Sequence, residues 1–313
     1  MSPLRKPDVM SMRIVFMGSP EFAVPALEAL NASEHEIVTV ISGADRRRGR
    51  GLDLMPSPVK AAAQRLGLPT LDWEELRAAP SPKEFMDVHY GPVDLFVVAA
   101  FKILSAKMLS IPRVGSVNIH ASLLPAYRGA APIHHAVING EKRTGCTIFF
   151  LDQGIDTGEV IMQEAIDIGE DETTGEVYER LRQLGAGMIT RAVDAIEQGG
   201  ITRITQDHSQ ASAAPKIFEK DQIIDFHRDS QVVHNHIRGM SPFPCAFTSL
   251  DGLRFRIFRT RNAPKVQGEE GKIFEKDGVY YVGCQRGAIE LVEVQLEGKR
   301  KMKAKEFFLG RKT

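Results

Sequence analysis

A chain of 313 residues suits two domains, with length enough for a proper core in each. Its 40 Lys and Arg balance its 40 Asp and Glu, so bulk charge gives no reason to expect a nucleic-acid partner. Residues 206–313 are more basic than the rest, with 19 basic against 14 acidic side chains, a weak sign of an appended basic module.

Three cysteines, Cys146, Cys245 and Cys284, match no zinc or thioredoxin spacing and read as free thiols of a reducing cytosol. The apolar runs fall far short of a membrane span. Residues 1–11 lack the apolar stretch of a secretory leader and read as an extension ahead of Met12.

In chain order, Arg13 to Met17 predicts a first buried strand ending at Gly18, and an amphipathic helix follows from about Phe22 to Leu30. The turn between them lacks the three-glycine fingerprint, so no dinucleotide is implied. Glu36 to Ile41 predicts the second strand. After it, Ser42 to Leu52 carries Arg46, Arg47, Arg48 and Arg50 among glycines and reads as a solvated loop, before a helix entered through Pro56 and Pro58. Asp94 to Ala100 is the most continuous apolar run, as expected of the middle of a parallel sheet covered on both faces.

Ser116 to Ile119 is a short apolar run that carries Asn118 and His120 two apart, on the same side of a strand. A helix-like stretch and a further apolar strand precede Asp156. If the two runs are neighbouring strands, the three polar groups meet at the sheet's edge, where ligands of α/β proteins collect outside the carboxyl ends of the strands. Taken singly, each has an ordinary explanation: a satisfied histidine, a turn-forming asparagine, an aspartate binding backbone amides.

Asp171 to Gly199 predicts one long helix, with Val177, Leu181, Leu184, Met188 and Ile189 at helical spacing. Ile201 to Pro215 reads as a linker. A helix over Gln231 to Gly239 and a Ser-Pro-Phe-Pro turn at Ser241 follow. Short strands over Leu253–Arg259, Gly278–Cys284 and Ala288–Gln295 then suggest a small β-barrel. His134-His135 and His234-x-His236 lack a third and fourth ligand, so no metal is expected. The run Lys299 to Lys305 reads as a solvated charged end.

The segments Asn118-x-His120-x-Ser122-Leu123-Leu124-Pro125 and Asp152-x-Gly154-x-Asp156-Thr157-Gly158 together resemble the signature of the folate-dependent formyltransferases. The resemblance implies an α/β fold: a Rossmann-like catalytic domain with a mostly parallel sheet over residues 1–200. A linker (201–216) and a carboxyl-terminal OB-like barrel that binds tRNA (217–313) would complete it. It implies 10-formyltetrahydrofolate as formyl donor, with Ser122, Leu123, Leu124 and Pro125 against the folate and backbone groups of the Phe101, Ile103, Leu104 turn at the pterin.

Formyl transfer is acyl transfer, which needs donors aimed at a developing oxyanion and a group that moves a proton. Asn118 and His120 would supply the donors, Asp156 would hold the imidazole, and no covalent nucleophile is required. Gly49-Arg50-Gly51 followed by Leu54-Met55-Pro56-Ser57-Pro58-Val59-Lys60 matches the branch of the family that acts on tRNA. There this loop enters the acceptor end of initiator tRNA, which makes Arg46 and Arg50 candidates for tRNA contact. Ala44 and Arg47-Arg48 depart from the usual loop. In that setting Lys299 to Lys305 could track phosphates.

The implied activity is formylation of the α-amine of methionyl initiator tRNA for translation initiation, by a monomer in the cytoplasm with no membrane partner and no metal. The alternatives are a formyltransferase of the same fold acting on a UDP-amino sugar or on glycinamide ribonucleotide, the hydrolase domain of formyltetrahydrofolate dehydrogenase, and a non-catalytic RNA-binding protein that has kept the fold.

Overall fold

Strands rich in Val, Ile and Phe, buried on both faces, build the first sheet of the computed structural model, which describes residues 11–48 and 53–311. In chain order its strands are β1 (Arg13–Gly18) and β2 (Glu36–Ser42), then, after a separate pair β3 (Arg46–Arg48) and β4 (Asp53–Met55), β5 (Thr70–Asp72) and β6 (Leu95–Ala99). The set ends with β7 (Gly115–His120), β8 (Arg143–Phe150) and β9 (Val160–Asp167). Across the sheet the order is β5-β2-β1-β6-β7-β8-β9. The pairings β2–β5, β1–β2, β1–β6 and β6–β7 are parallel, and β7–β8 is antiparallel. This is the mostly parallel sheet expected of a Rossmann-like domain.

Phe16, Phe96 and Phe149 are fully buried, and Val15, Met17, Phe96 and Val98 share one cluster with Trp73 and Leu104. The helix Pro58–Arg65 starts where expected: Pro58 occupies its first turn and the Ser57 hydroxyl accepts the Lys60 amide at 3.0 Å. The long helix observed is Thr174–Glu197, with Val177, Leu181, Met188 and Ile189 fully buried.

The arginine-rich segment differs from the loop expected of it. Arg46–Arg48 pairs antiparallel with Asp53–Met55, so a two-stranded ribbon leaves the sheet. Its foot is tied by Lys60, whose ammonium lies 2.9 Å from Asp45 and 3.2 Å from Asp72. The hydrogen bond it donates to Asp45 is the main reason its pKa is raised. Backbone pairing of this kind leaves no hydrophobic trace in the sequence.

The chain divides into two units that are not contiguous in sequence: the second takes in Gly129–Thr144 and Ile166–Tyr178 as well as everything from Ala213. Its sheet is antiparallel throughout, built from β10 (Ala246–Leu250), β11 (Leu253–Ala263), β12 (Ile273–Lys276), β13 (Val279–Gly283), β14 (Ala288–Leu296) and β15 (Met302–Lys303). The order is β10-β11-β14-β13-β12, with β15 beside β14. Alternate residues of β11, Phe255 and Ile257, join Ile237, Val294 and Phe307 in the core.

The basic run keeps its Lys and Arg side chains exposed, as a solvated charged end should, but its backbone is structured. Met302–Lys303 pairs with β14, and Ala304 and Phe307 of the helix Ala304–Leu309 are buried. Helix Pro132–Ile138 belongs to this second unit because Gly239 has no side chain. A Cβ there would stand 2.4 Å from Ile138 Cγ1.

His134 and His135 use Nε2 on the carbonyls of Phe243 and Pro215, and buried His234 lies between the Thr260 hydroxyl and the Glu170 carbonyl. Burial pushes the pKa of His134 and His234 down. Among the described residues no group of three or more His, Cys, Asp and Glu could hold a metal. Burial pushes all three thiols up to about 12. Among the described residues no helix is long and apolar enough to cross a membrane.

Phe96→Ala empties a fully buried site in the central strand, and is expected to lower the unfolding free energy by about 3–5 kcal/mol in urea titration. A loss below about 1 kcal/mol would mean that the sheet is not packed as described.

Candidate active site

The site grows from the carboxyl end of β7. Its neighbours fix the register: Asn118 aligns with Val98 of β6 and with Phe149 of β8, and His120 aligns with Thr147. The alternation of a strand places Asn118 and His120 on one side and Ile119, which is buried, on the other. Asn118 is half-buried, whereas His120 is only 5 % exposed and therefore needs partners.

Its Nε2 lies 2.8 Å from the Tyr127 carbonyl oxygen. A carbonyl only accepts, so Nε2 carries a hydrogen and donates it. The other nitrogen, Nδ1, faces Asp156, with Oδ2 at 3.7 Å. That is close enough for a charge pair and too long for a hydrogen bond.

The structure therefore brings His120 and Asp156 together. It does so without the simple approach of two parallel strand ends. Because β8 runs antiparallel to β7, its carboxyl end lies beside Val117, three residues before His120. The loop 151–159 carries Asp156 back to the imidazole.

The Asp-x-Gly-x-Asp-Thr-Gly motif now has a mechanical explanation. One carboxylate oxygen of Asp152 accepts the Gly154 amide at 2.9 Å and the Thr157 hydroxyl at 2.6 Å. A Cβ on Gly154 would meet Thr157 Oγ1 at 2.0 Å, and one on Gly158 would meet the Phe150 carbonyl oxygen at 1.7 Å. Asp156 itself sits at φ 54°, a left-handed conformation that non-glycine residues adopt only when their surroundings impose it.

The strip Ser122–Pro125 is pinned just as firmly. Thr147 of β8 donates its hydroxyl to the Ser122 carbonyl at 2.7 Å. The same hydroxyl accepts the Leu124 amide at 3.1 Å and the Gln163 side-chain amide at 2.9 Å, so all its bonding capacity is used. Gln163 also donates to the Leu124 carbonyl, and the Ser122 hydroxyl is spent on the Ala126 carbonyl. Leu124 is buried, while Leu123 and Pro125 are half-buried and the peptide between Leu124 and Pro125 is cis.

In the turn after β6, Leu104 is a core residue, Phe101 packs edge-on against Trp73 and Ile103 is 73 % exposed. Of the arginines, Arg46 has only its backbone described, in β3, and Arg50 lies outside the described residues.

Four groups that hold the site escaped the sequence reading: the Tyr127 carbonyl, Thr147, Gln163 and Gln206. A backbone carbonyl has no sequence signal, and Thr147 and Gln163 are single polar residues within strands. Gln206 falls in the segment read as a linker. It is 6 % exposed and donates to the carbonyls of Asp156 and Gly158 at 3.0 and 2.7 Å.

A sheet with these features, an amide, an imidazole and a carboxylate near one strand end, and a glycine-dependent loop beside them define a class. The chain belongs to the formyl transferase family: the formyl transferase model matches residues 12–193, and that of the formyl transferase carboxyl-terminal domain matches residues 216–312.

Within it the chain is 40 % identical to the methionyl-tRNA formyltransferase of Citrifermentans bemidjiense, over 96 % of this chain and 94 % of that one. It is 43 % identical to the protein of the same name from Chlorobium luteolum, over 96 % of each. A solved N-formyltransferase of Helicobacter canadensis, in complex with folinic acid and dTDP-3-aminofucose, has the same fold. It is 19 % identical at a TM-score of 0.68, over 90 % of this chain and 98 % of that one.

Gly158→Ala forces the loop that carries Asp156 away from Phe150, and displacement of that order is expected to lower kcat of formyl transfer by about 10²-fold in steady-state assays. Undiminished turnover would mean that the loop's position does not matter.

Proposed function

We propose that this enzyme moves the formyl group of 10-formyltetrahydrofolate to the α-amine of methionine on initiator tRNA, in the cytoplasm, where translation starts. The carrying observation for the acceptor is identity of 40–43 % over 96 % of the chain to methionyl-tRNA formyltransferases. The folate donor is supported by the folinic acid in the complex of the Helicobacter canadensis enzyme.

In this reading Asn118, His120 and Asp156 are the catalytic residues. The methionyl amine attacks the formyl carbon, and charge gathers on the formyl oxygen. The bond from that carbon to N10 then breaks, and the proton lost by the amine ends on N10. The Asn118 amide is a neutral donor to the oxyanion, an interaction of the kind worth about 10²–10³ in kcat.

His120 contributes through Nδ1, since Nε2 is committed to Tyr127. A proton arriving at Nδ1 makes an imidazolium 3.7 Å from the Asp156 carboxylate, which stabilises that state and allows the group to pass a proton onward. The gap between Nδ1 and Oδ2 is wider than a hydrogen bond, so the Nδ1 proton is not locked to Asp156 and can be shared with a reacting atom.

Ser122, Leu123, Leu124 and Pro125 would lie along the folate, and the turn with Phe101, Ile103 and Leu104 would present backbone groups to the pterin. Rigid backbone suits that task, and the Thr147 and Gln163 bonds supply the rigidity.

Arg46 and Arg50 would meet tRNA phosphates near its acceptor end. In the second unit, Arg254 stacks on Phe247 at 4.2 Å and Lys301 lies over Phe258 at 5.3 Å. Single-stranded nucleic acid is held by basic grooves with aromatic side chains interleaved, and these pairs put both kinds of group together. Both cations are paired internally, Arg254 with Glu219 and Lys301 with Glu293, so phosphates would displace carboxylates and binding should weaken with salt.

The deciding experiment gives the purified enzyme 10-formyltetrahydrofolate and charged initiator tRNA. Formylmethionyl-tRNA is the expected product, and His120→Ala should reduce its rate by about 10²–10⁴-fold with the fold unchanged by circular dichroism. Transfer to a nucleotide-sugar amine alone would overturn the acceptor, and a nearly active His120→Ala enzyme would remove the imidazole from the mechanism.

A further inference from the structure

One side chain outside the reacting set touches both loops that frame it. The amide nitrogen of Gln206 donates to the Asp156 and Gly158 carbonyls, and its oxygen accepts from Arg128 Nε and Nη2 at 3.2 and 2.6 Å. Arg128 directly follows Tyr127, whose carbonyl orients His120. Six residues beyond Gln206, Ser212 holds the same turn: its hydroxyl accepts the Tyr127 amide at 2.9 Å and its carbonyl accepts the Arg128 amide at 2.8 Å.

The Gln206 amide is fully used, with both hydrogens on the loop of Asp156 and the oxygen on the turn of His120. No other side chain of this size both donates twice and accepts at one planar group. Glutamate would set a carboxylate against two carbonyls, and methionine would remove both donors and the acceptor from a buried position where such bonds are costly to lose. The bond to the Asp156 carbonyl also falls on the residue whose backbone is left-handed, where an outside restraint is needed to keep the conformation.

We propose that Gln206 is a positioning residue for formyl transfer: by bridging the two loops it sets the separation of His120 and Asp156. It touches no reacting atom. This inference rests on the reading of Asn118, His120 and Asp156 given above. It assigns a task to a segment that composition marks only as a linker.

The test is a double-mutant cycle between Gln206→Met and Asp156→Asn, with kcat and both KM values measured by varying 10-formyltetrahydrofolate or methionyl-tRNA while the other is saturating. Gln206→Met alone is expected to lower kcat by about tenfold or more while each KM stays within about twofold. On the Asp156→Asn background the same change should cost less than about twofold, because its effect passes through Asp156. If the methionine variant does not fold, Gln206→Glu takes its place, since it keeps the volume and the Arg128 contact and puts a carboxylate oxygen where the two donors were.

Unchanged kcat in a folded Gln206 variant, or the same loss repeated in full on the Asp156→Asn background, overturns the inference. Should Asp156→Asn itself turn over normally, the reading of the site falls and this inference with it. A crippled Asp156→Asn beside a fully active Gln206→Met sinks the inference alone.

Discussion

The hydrogen bond from His120 Nε2 to the Tyr127 carbonyl decides which imidazole nitrogen is left for chemistry. With Nε2 taken, Nδ1 is the nitrogen that faces Asp156. A buried ring with one committed nitrogen cannot flip without breaking a bond that burial makes costly to lose. In the proposed mechanism the carboxylate therefore need not orient the ring; it would answer the charge that forms there.

Everything nearby serves to hold two short loops in conformations they would not adopt alone. Tyr127 sits at φ 61° and Asp156 at φ 54°, both left-handed and both non-glycine. Each such residue costs of order 1–2 kcal/mol, and the restraints are correspondingly dense. Thr147, Gln163, Ser212 and Asp152 each spend polar groups on backbone atoms of the two loops. The antiparallel β8 is what makes these bonds available, since it brings Thr147 level with His120 and starts the return loop to Asp156. A site arranged before substrate arrives has less reorganisation left to perform during the reaction.

What could be read from the sequence follows from how strongly physics writes it there. The buried strands Arg13–Gly18 and Leu95–Ala99 and the helix Thr174–Glu197 show as continuous or periodic apolar patterns, and they stand within a few residues of the expected places. Asn118, His120 and Asp156 were visible because their types and spacing are unusual together. The ribbon Arg46–Arg48 with Asp53–Met55 was not, because main-chain pairing of charged residues has no periodicity of burial. Helix Ala304–Leu309 hid in a run of lysines because only Ala304 and Phe307 turn inward. Gln206 and the Tyr127 carbonyl were out of reach for a different reason: their importance lies in what they touch across 50 and 7 residues of chain.

The claim beneath the proposed chemistry is the tautomer of one ring. Nitrogen-15 NMR of the histidine-labelled enzyme, read at a pH where His120 is neutral and assigned by comparison with His120→Gln, measures it directly. A protonated Nε2 with a bare Nδ1 is the expected spectrum. A neutral ring with its hydrogen on Nδ1 would contradict the account, because Nε2 could then not donate to the Tyr127 carbonyl and Asp156 would hold the ring instead.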